Sequence, residues 1–199
     1  MSRTAVTRIT HSCHLIEIGG RTFLTDPWFS TRPGYYQGEP IALSVADLPR
    51  LDGVLISHEH YDHCDLETFA SYRDQSVPLF VAETVVEAAP GTRCSSPNSA
   101  RFLSGSATSP SPSCPPTACT SAPQGNMQVV MDADEAAELT AILKPELAIP
   151  HHYAFTKGFL GDRLITHSDK DPLHYQDAAR DLAPETHVRI IEPGTRIEL

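Results

Sequence analysis

No run of 18 apolar residues occurs in the chain, and Met1-Ser2-Arg3-Thr4-Ala5-Val6 opens it without an apolar core. Neither a membrane span nor a signal peptide is therefore expected. Positive charge is scarce: 15 Lys and Arg against 25 Asp and Glu leave a formal charge of −10. That balance argues against a nucleic-acid backbone or an anionic membrane as partner and suits a cytoplasmic protein. The cysteines Cys13, Cys64, Cys94, Cys114 and Cys119 are odd in number and form no CxxC pair. A disulfide framework is not expected, and a reducing compartment fits better. Histidine is missing from the whole interval between His63 and His151. At 199 residues the chain is expected to form a single domain, 1–199, with a sizeable core. Nothing in the sequence sets an oligomeric state.

What is present concentrates in Ser57-His58-Glu59-His60-Tyr61-Asp62-His63-Cys64-Asp65. The preceding Val54-Leu55-Ile56 is too short for a helix and too apolar for a surface loop, so it reads as a buried strand. Asp65-Leu66-Glu67-Thr68-Phe69 reads as an N-cap entering a short amphipathic helix that reaches Tyr72. Side chains leaving a rigid strand end can converge on one point. Imidazole suits zinc, iron or manganese, and a carboxylate adds charge and oxygen. A solvated turn rich in histidine is the bland alternative.

Val6-Thr7-Arg8-Ile9 and Leu15-Ile16-Glu17-Ile18 read as strands, with Gly19-Gly20 a two-residue hairpin turn into Arg21-Thr22-Phe23-Leu24. Asp26-Pro27 ends that strand, the proline stopping ladder pairing and freeing Asp26 to point out of the sheet. Residues 27–50 read as a long loop whose Trp28, Phe29, Tyr35 and Tyr36 either line a pocket or pin the loop to the core. A strand at 78–82 and a helix starting at 83–89 continue a β-α-β-α alternation, which suits an α/β layer fold. Later, Asp132 onward opens a helix with an acidic first turn, ending near Leu143. Leu147-Ala148-Ile149-Pro150 reads as a short buried strand carrying His151-His152-Tyr153 at its end. Asp171-Pro172 opens a last helix through Leu182, and residues 188–191 and 195–199 read as a hairpin about Pro193-Gly194.

Between these regular parts, residues 90–124 are Ser, Pro, Thr and Cys with hardly a large apolar side chain. Composition alone makes this a low-complexity linker, although long structureless loops are rare inside compact domains. A second reading is translation from a shifted frame. Back-translated with G/C-rich codons and moved by one nucleotide, residues 91–99 can spell Asp-Thr-Leu-Leu-Ile-Pro-Glu-Leu, which carries an Asp-Thr pair.

The residues Asp26-Pro27 and His58-x-His60-x-Asp62-His63 resemble the metallo-β-lactamase superfamily. Thr10-His11-Ser12-Cys13-His14-Leu15-Ile16-Glu17 and Ile149-Pro150-His151-His152-Tyr153 are similar to its ascorbate-phosphate-lactonase-like branch. The likeness covers residues 4–89 and 125–199 and fails between them. It implies a four-layer αββα sandwich, here incomplete in one sheet, and a metal-dependent hydrolase of small molecules. In such enzymes a metal-bound hydroxide acts on a phosphoester, lactone or amide. Carried over residue by residue, His58 and His60 would hold one divalent metal, expected to be zinc with manganese or iron as alternatives. Asp62, His63 and His152, with His151 as fallback, would hold the other. Asp62 would also be catalytic, moving a proton as the intermediate collapses. Asp26 would orient a metal-bound imidazole, or simply cap its turn, and His11 would lie near the site or be structural.

Two ligands that the resemblance calls for, a third imidazole and a bridging carboxylate, have no counterpart before residue 125. Past Asp65, Asp74 is the only Asp in that interval. The alternative is therefore a degenerate, truncated family member with a partial metal site and no catalysis. A third is a metal-binding or interaction module that has kept the fold and lost the chemistry. The shifted-frame reading makes a plain prediction about the open reading frame. Its codons over residues 91–99, read one nucleotide out of register, should spell the Asp-Thr-containing peptide; codons that cannot do so end that reading.

Overall fold

The computed structural model describes residues 4–81, 130–156, 158–159 and 171–199. The helix expected at 83–89 and the anomalous stretch 90–124 lie outside the described residues, as does the sequence that would decide whether a sheet is incomplete. The chain divides into two compact units. Described residues of the first fall within Met1–Arg32, Glu39–Ala107 and Glu192–Leu199, and those of the second within Pro33–Gly38 and Thr108–Ile191. Among the described residues, no helix is long and apolar enough to cross a membrane.

The first unit is built on one six-stranded sheet. Its strands are β1 (Ala5–Thr10), β2 (Cys13–Ile18), β3 (Arg21–Thr25), β5 (Gly53–Ile56), β6 (Leu79–Val81) and β10 (Arg196–Glu198), in the order β10-β1-β2-β3-β5-β6. The β2–β3 hairpin turns on Gly19 and Gly20, whose φ values of 63° and 75° are those a primed two-residue turn demands. The two ladders β3–β5 and β5–β6 are parallel, Thr25 standing opposite Leu55 and Ile56 opposite Val81. Parallel pairing sends the ends of β3 and β5 out of the same edge, and this places Asp26 beside the loop after Ile56.

Alternation sorts the sheet into two faces. Leu15, Leu24, Val54 and Ile56 pack with Ile9, Leu48, Leu51, Phe69 and Tyr72 into the core. Leu55 departs from the expected buried run: it is 38% exposed, because a period of two turns it away from Val54 and Ile56. Beside it Gly53 leaves room for two aromatics, since a Cβ there would come within 2.7 Å of the Phe80 ring and 3.1 Å of Phe23.

Helix α1 (Leu66–Phe69) is shorter than the expected run to Tyr72, but its cap is as expected. Asp65 is buried and accepts from the backbone N–H of Thr68 at 3.2 Å. The same carboxylate accepts from the N–H groups of Phe29 and Ser30 and from Ser30 Oγ at 3.1, 3.0 and 2.7 Å. Trp28 is fully buried, so this aromatic pins the 27–50 loop. That loop also holds a 3-10 turn at Val45–Asp47 and strand β4 (Tyr36–Gln37).

In the second unit β4 pairs antiparallel with β8 (Phe155–Thr156), and β7 (Leu147–Ala148) pairs parallel with β9 (His187–Val188). Helix α2 (Ala133–Leu143) starts on a capping box in which Asp132 and Glu135 satisfy each other's backbone N–H. Helix α3 (Pro172–Leu182) starts on Asp171 with proline in its first turn. The helices meet through Ala137, Ala179 and Tyr175, with a 2.8 Å hydrogen bond between Thr140 Oγ1 and the Tyr175 hydroxyl. The expected C-terminal hairpin does not form. Residues before Pro193-Gly194 pair with β7, whereas those after it are captured by the open edge of β1, through Gly194 N–H to Arg8 O (2.7 Å) and Arg8 N–H to Thr195 O (3.2 Å).

Replacing Asp65 with alanine strands three backbone donors and one hydroxyl at once. It should cost about 3 kcal/mol, given roughly 1–3 kcal/mol for each buried group left unsatisfied and partial rescue by water. Urea unfolding measures this, and a loss below about 1 kcal/mol would contradict the bracing role assigned to Asp65.

Candidate metal centre

The first unit gathers its candidate site residues from three places: the β1–β2 turn, the end of β3 and the loop after β5. His11-Ser12 is itself a two-residue hairpin turn, closed by the pair Thr10 and Cys13. The ladder slips between Arg8 and Thr10, leaving Ile9 as an extra residue that bulges β1 and re-aims the turn beyond it. The Ile9 carbonyl is satisfied by Ala42 N–H at 3.0 Å. In two-residue turns of this kind the first position needs positive φ and is usually glycine. His11 occupies it with φ 44°. Its backbone N–H donates to Glu39 Oε1 at 2.6 Å, and the same oxygen accepts from the buried guanidinium of Arg8 at 2.7 Å. The imidazole is fully buried, edge-on to Trp28 at 5.1 Å between ring centroids.

Asp26 also takes positive φ, 38°. The ladder runs one residue further than the Asp26-Pro27 pair suggests, because Asp26 N–H still bonds Leu55 O at 2.8 Å. Its carboxylate accepts from Ser57 N–H at 2.7 Å and from Ser57 Oγ at 2.9 Å, and its Oδ2 lies 3.0 Å from His63 Nδ1. Burial opposes ionisation of Asp26, but the donors on His63 and Ser57 outweigh it and hold the carboxyl below its ordinary range. With Nδ1 of His63 committed to Asp26, Nε2 is the nitrogen left for a ligand.

Asp62 and His63 are buried, and Asp62 Oδ2 stands 3.8 Å from His63 Nε2 and 3.4 Å from His11 Nε2. The donor atoms of His11, Asp62 and His63 all lie within 4.8 Å of one another. Burial pushes the His11 imidazole below its usual pKa, Asp62 pulling in the opposite sense. Neutral imidazole is the form that binds a metal. His58 and His60 stand alongside: the His58 ring is 3.9 Å from that of His63 and 4.7 Å from that of His60. His58 Nδ1 pairs with Ser57 Oγ at 2.9 Å, and burial, then His63 and His60, lower its pKa. His60 is exposed. Neither His58 nor His60 has its donor atoms in the close group of His11, Asp62 and His63. Cys64 is no thiolate at neutral pH, since burial and nearby carboxylates push it up to about 11.

His152 belongs to the second unit, just after β7, and its φ is 70°. Ser57 and Glu39, assigned no role from the sequence, hold Asp26 and the His11 backbone, and Trp28, expected to line a pocket or pin its loop, packs edge-on against the His11 ring. The loop itself is braced by Tyr61, whose hydroxyl bonds Ser30 Oγ and whose ring lies 3.5 Å under the Arg32 guanidinium.

Comparison with known proteins gives this geometry its class. The beta-lactamase superfamily domain matches residues 21–98. An uncharacterised protein of Mycobacterium tuberculosis is 44% identical over 73 residues, 34% of this chain and 20% of that protein. An N-acyl-phosphatidylethanolamine-hydrolyzing phospholipase D of Caenorhabditis elegans is 36% identical over 67 residues, 31% of this chain and 19% of its own length. The chain thus matches about a fifth of the length of these curated relatives. A metallo hydrolase structure from Ignicoccus hospitalis superposes with a TM-score of 0.60 at 18% identity, over 99% of this chain and 98% of that one. The chain shares the mixed α/β fold of that metallo hydrolase structure, and its residues 21–98 are similar to the beta-lactamase superfamily domain.

Exchanging Asp26 for asparagine keeps its shape and removes the charge that orients His63. Metal affinity should fall by about 10–100-fold, the range typical of losing an orienting partner. Competition with a chromophoric chelator measures it, and an unchanged affinity would remove Asp26 from the site.

Proposed function

We propose that this chain is a metal-dependent hydrolase. The observation that carries the reading is the convergence of His11, Asp62 and His63 donor atoms within 4.8 Å of one another. Two neutral imidazoles and one carboxylate make a donor set that fits a divalent cation, and zinc is the proposed ion, manganese and iron being compatible with the same donors. When bound, such a metal supplies Lewis acidity and lowers the pKa of coordinated water to about 7. Within the chain, His63 offers Nε2 because Asp26 engages its Nδ1. Asp62 holds charge at the site and is the proposed catalytic residue, positioned to accept and return a proton. From the sequence resemblance alone, His152 is proposed as a further donor, with His151 as the alternative, and His58 and His60 as donors to a second ion.

A phosphoester, lactone or amide is the proposed substrate, and the likeness to a phospholipase D supports a phosphodiester among these. The degenerate reading draws on the lack of any histidine between His63 and His151 and on Asp74 being the only Asp between Asp65 and residue 125. Purified protein analysed for metal by plasma mass spectrometry, then assayed on bis(p-nitrophenyl) phosphate and on a simple lactone, separates the two. Hydrolase function predicts at least one equivalent of metal and turnover abolished by chelation. It also predicts a drop of about 10²–10⁴-fold in Asp62→Asn, the usual worth of a positioned acid–base group. Metal without turnover would leave a binding module, and no metal the degenerate form.

A further inference from the structure

We propose that His11 is itself a metal ligand, through Nε2, and forms with Asp62 and His63 a two-imidazole, one-carboxylate site contained in the first unit. This rests on the metal-binding part of the reading above and is independent of any hydrolysis. The separations decide between ligation and a hydrogen bond. A charge-assisted N–H to carboxylate bond runs at about 2.7–2.9 Å. The Nε2 of His11 stands 3.4 Å from Asp62 Oδ2, and the Nε2 of His63 stands 3.8 Å from the same oxygen. Both exceed that length. Two donors each about 2.0–2.2 Å from one ion stand roughly 3.3–3.8 Å apart at angles from tetrahedral to trigonal. Both separations fall in that window.

The backbone carries the second argument. A left-handed conformation at a non-glycine residue is maintained only where its surroundings over-determine it, and such residues cluster at functional sites. Glycine or asparagine would suit the turn at His11 better. Here a bulge at Ile9, the Glu39 carboxylate on the His11 N–H and the Trp28 ring together hold a histidine there, with its ring fully buried and turned toward Asp62.

His11→Asn and His11→Gly both accept the observed φ, so the turn survives in each. Asparagine also keeps a donor toward Asp62 while removing the imidazole. If His11 ligates, both variants lose more than 100-fold in affinity for zinc and for cobalt, beyond the range of a merely orienting residue. The visible bands of the cobalt-loaded protein should shift, and added imidazole should restore binding to His11→Gly. A loss under 100-fold with an unaltered cobalt spectrum overturns ligation and leaves His11 a positioning residue. Circular dichroism and thermal melting of the metal-free variants show that the fold is intact. Retained metal with no turnover on any ester or lactone would end the hydrolase reading and leave this one standing.

Discussion

The carboxylate of Asp26 joins two strand ends that are far apart in sequence, taking the Ser57 N–H and hydroxyl on one side and facing His63 Nδ1 on the other. It can do so because β3 and β5 are parallel neighbours, so both chains leave the sheet at the same edge. Ligand rules in open α/β sheets have the same root, since carboxyl ends of parallel strands are where loops can converge. A slip of one residue in this register would send the side chains to the opposite face and break the arrangement. Once Asp26 is fixed, the tautomer of His63 is fixed, and the start of the metal loop is tied to the sheet. The other end of that loop is tied separately, by Asp65 to the 29–30 backbone and to its own helix.

Two of the buried site residues come with a backbone cost. Positive φ at His11 and Asp26 is worth about 1–3 kcal/mol of strain at each position. The compensation is local and polar. Glu39 binds the His11 N–H and the buried Arg8 together, so one carboxylate neutralises a buried guanidinium and completes the turn. Removing one partner of a buried pair of this kind costs about 3–5 kcal/mol, because the other charge is left uncompensated. Asp26 is compensated through its backbone N–H to Leu55 O as well as through its side chain.

Much of this was legible in the residues. The Gly19-Gly20 turn, the strand before His58, the Asp65 cap, and the starts of α2 and α3 all stem from local chemistry that acts within four residues. Asp26 was legible as a carboxylate freed at a strand end by Pro27, and its place near an imidazole came only through the resemblance; its bond to Ser57 was hidden, since that depends on strand register. The hairpin at His11 was obscured because the bulge at Ile9 breaks alternation, and a histidine stands where glycine would announce the turn. The exposure of Leu55 was hidden for a related reason: a short apolar run does not say how many faces of its strand are covered. The C-terminal segment misled more thoroughly. Pro193-Gly194 is a turn, but an open strand edge elsewhere competed for the residues after it and won.

Charge ties the site to the rest of the chain. A formal charge of −10 repels anions at long range, so an acidic surface by itself is a poor collector of phosphate or carboxylate groups. The group of His11, Asp62 and His63 supplies one carboxylate and two imidazoles, which bind a metal in their neutral form. Any divalent cation held there retains one net positive charge, in a setting where screening by water is weak. Adding a second carboxylate would cancel it. With so few carboxylates among them, these three donors would leave a bound cation attractive to an anionic or strongly polarised oxygen. Such a cation would also make the local field opposite in sign to that of the molecule as a whole, and short in range. A field of that kind would act at close approach rather than at a distance.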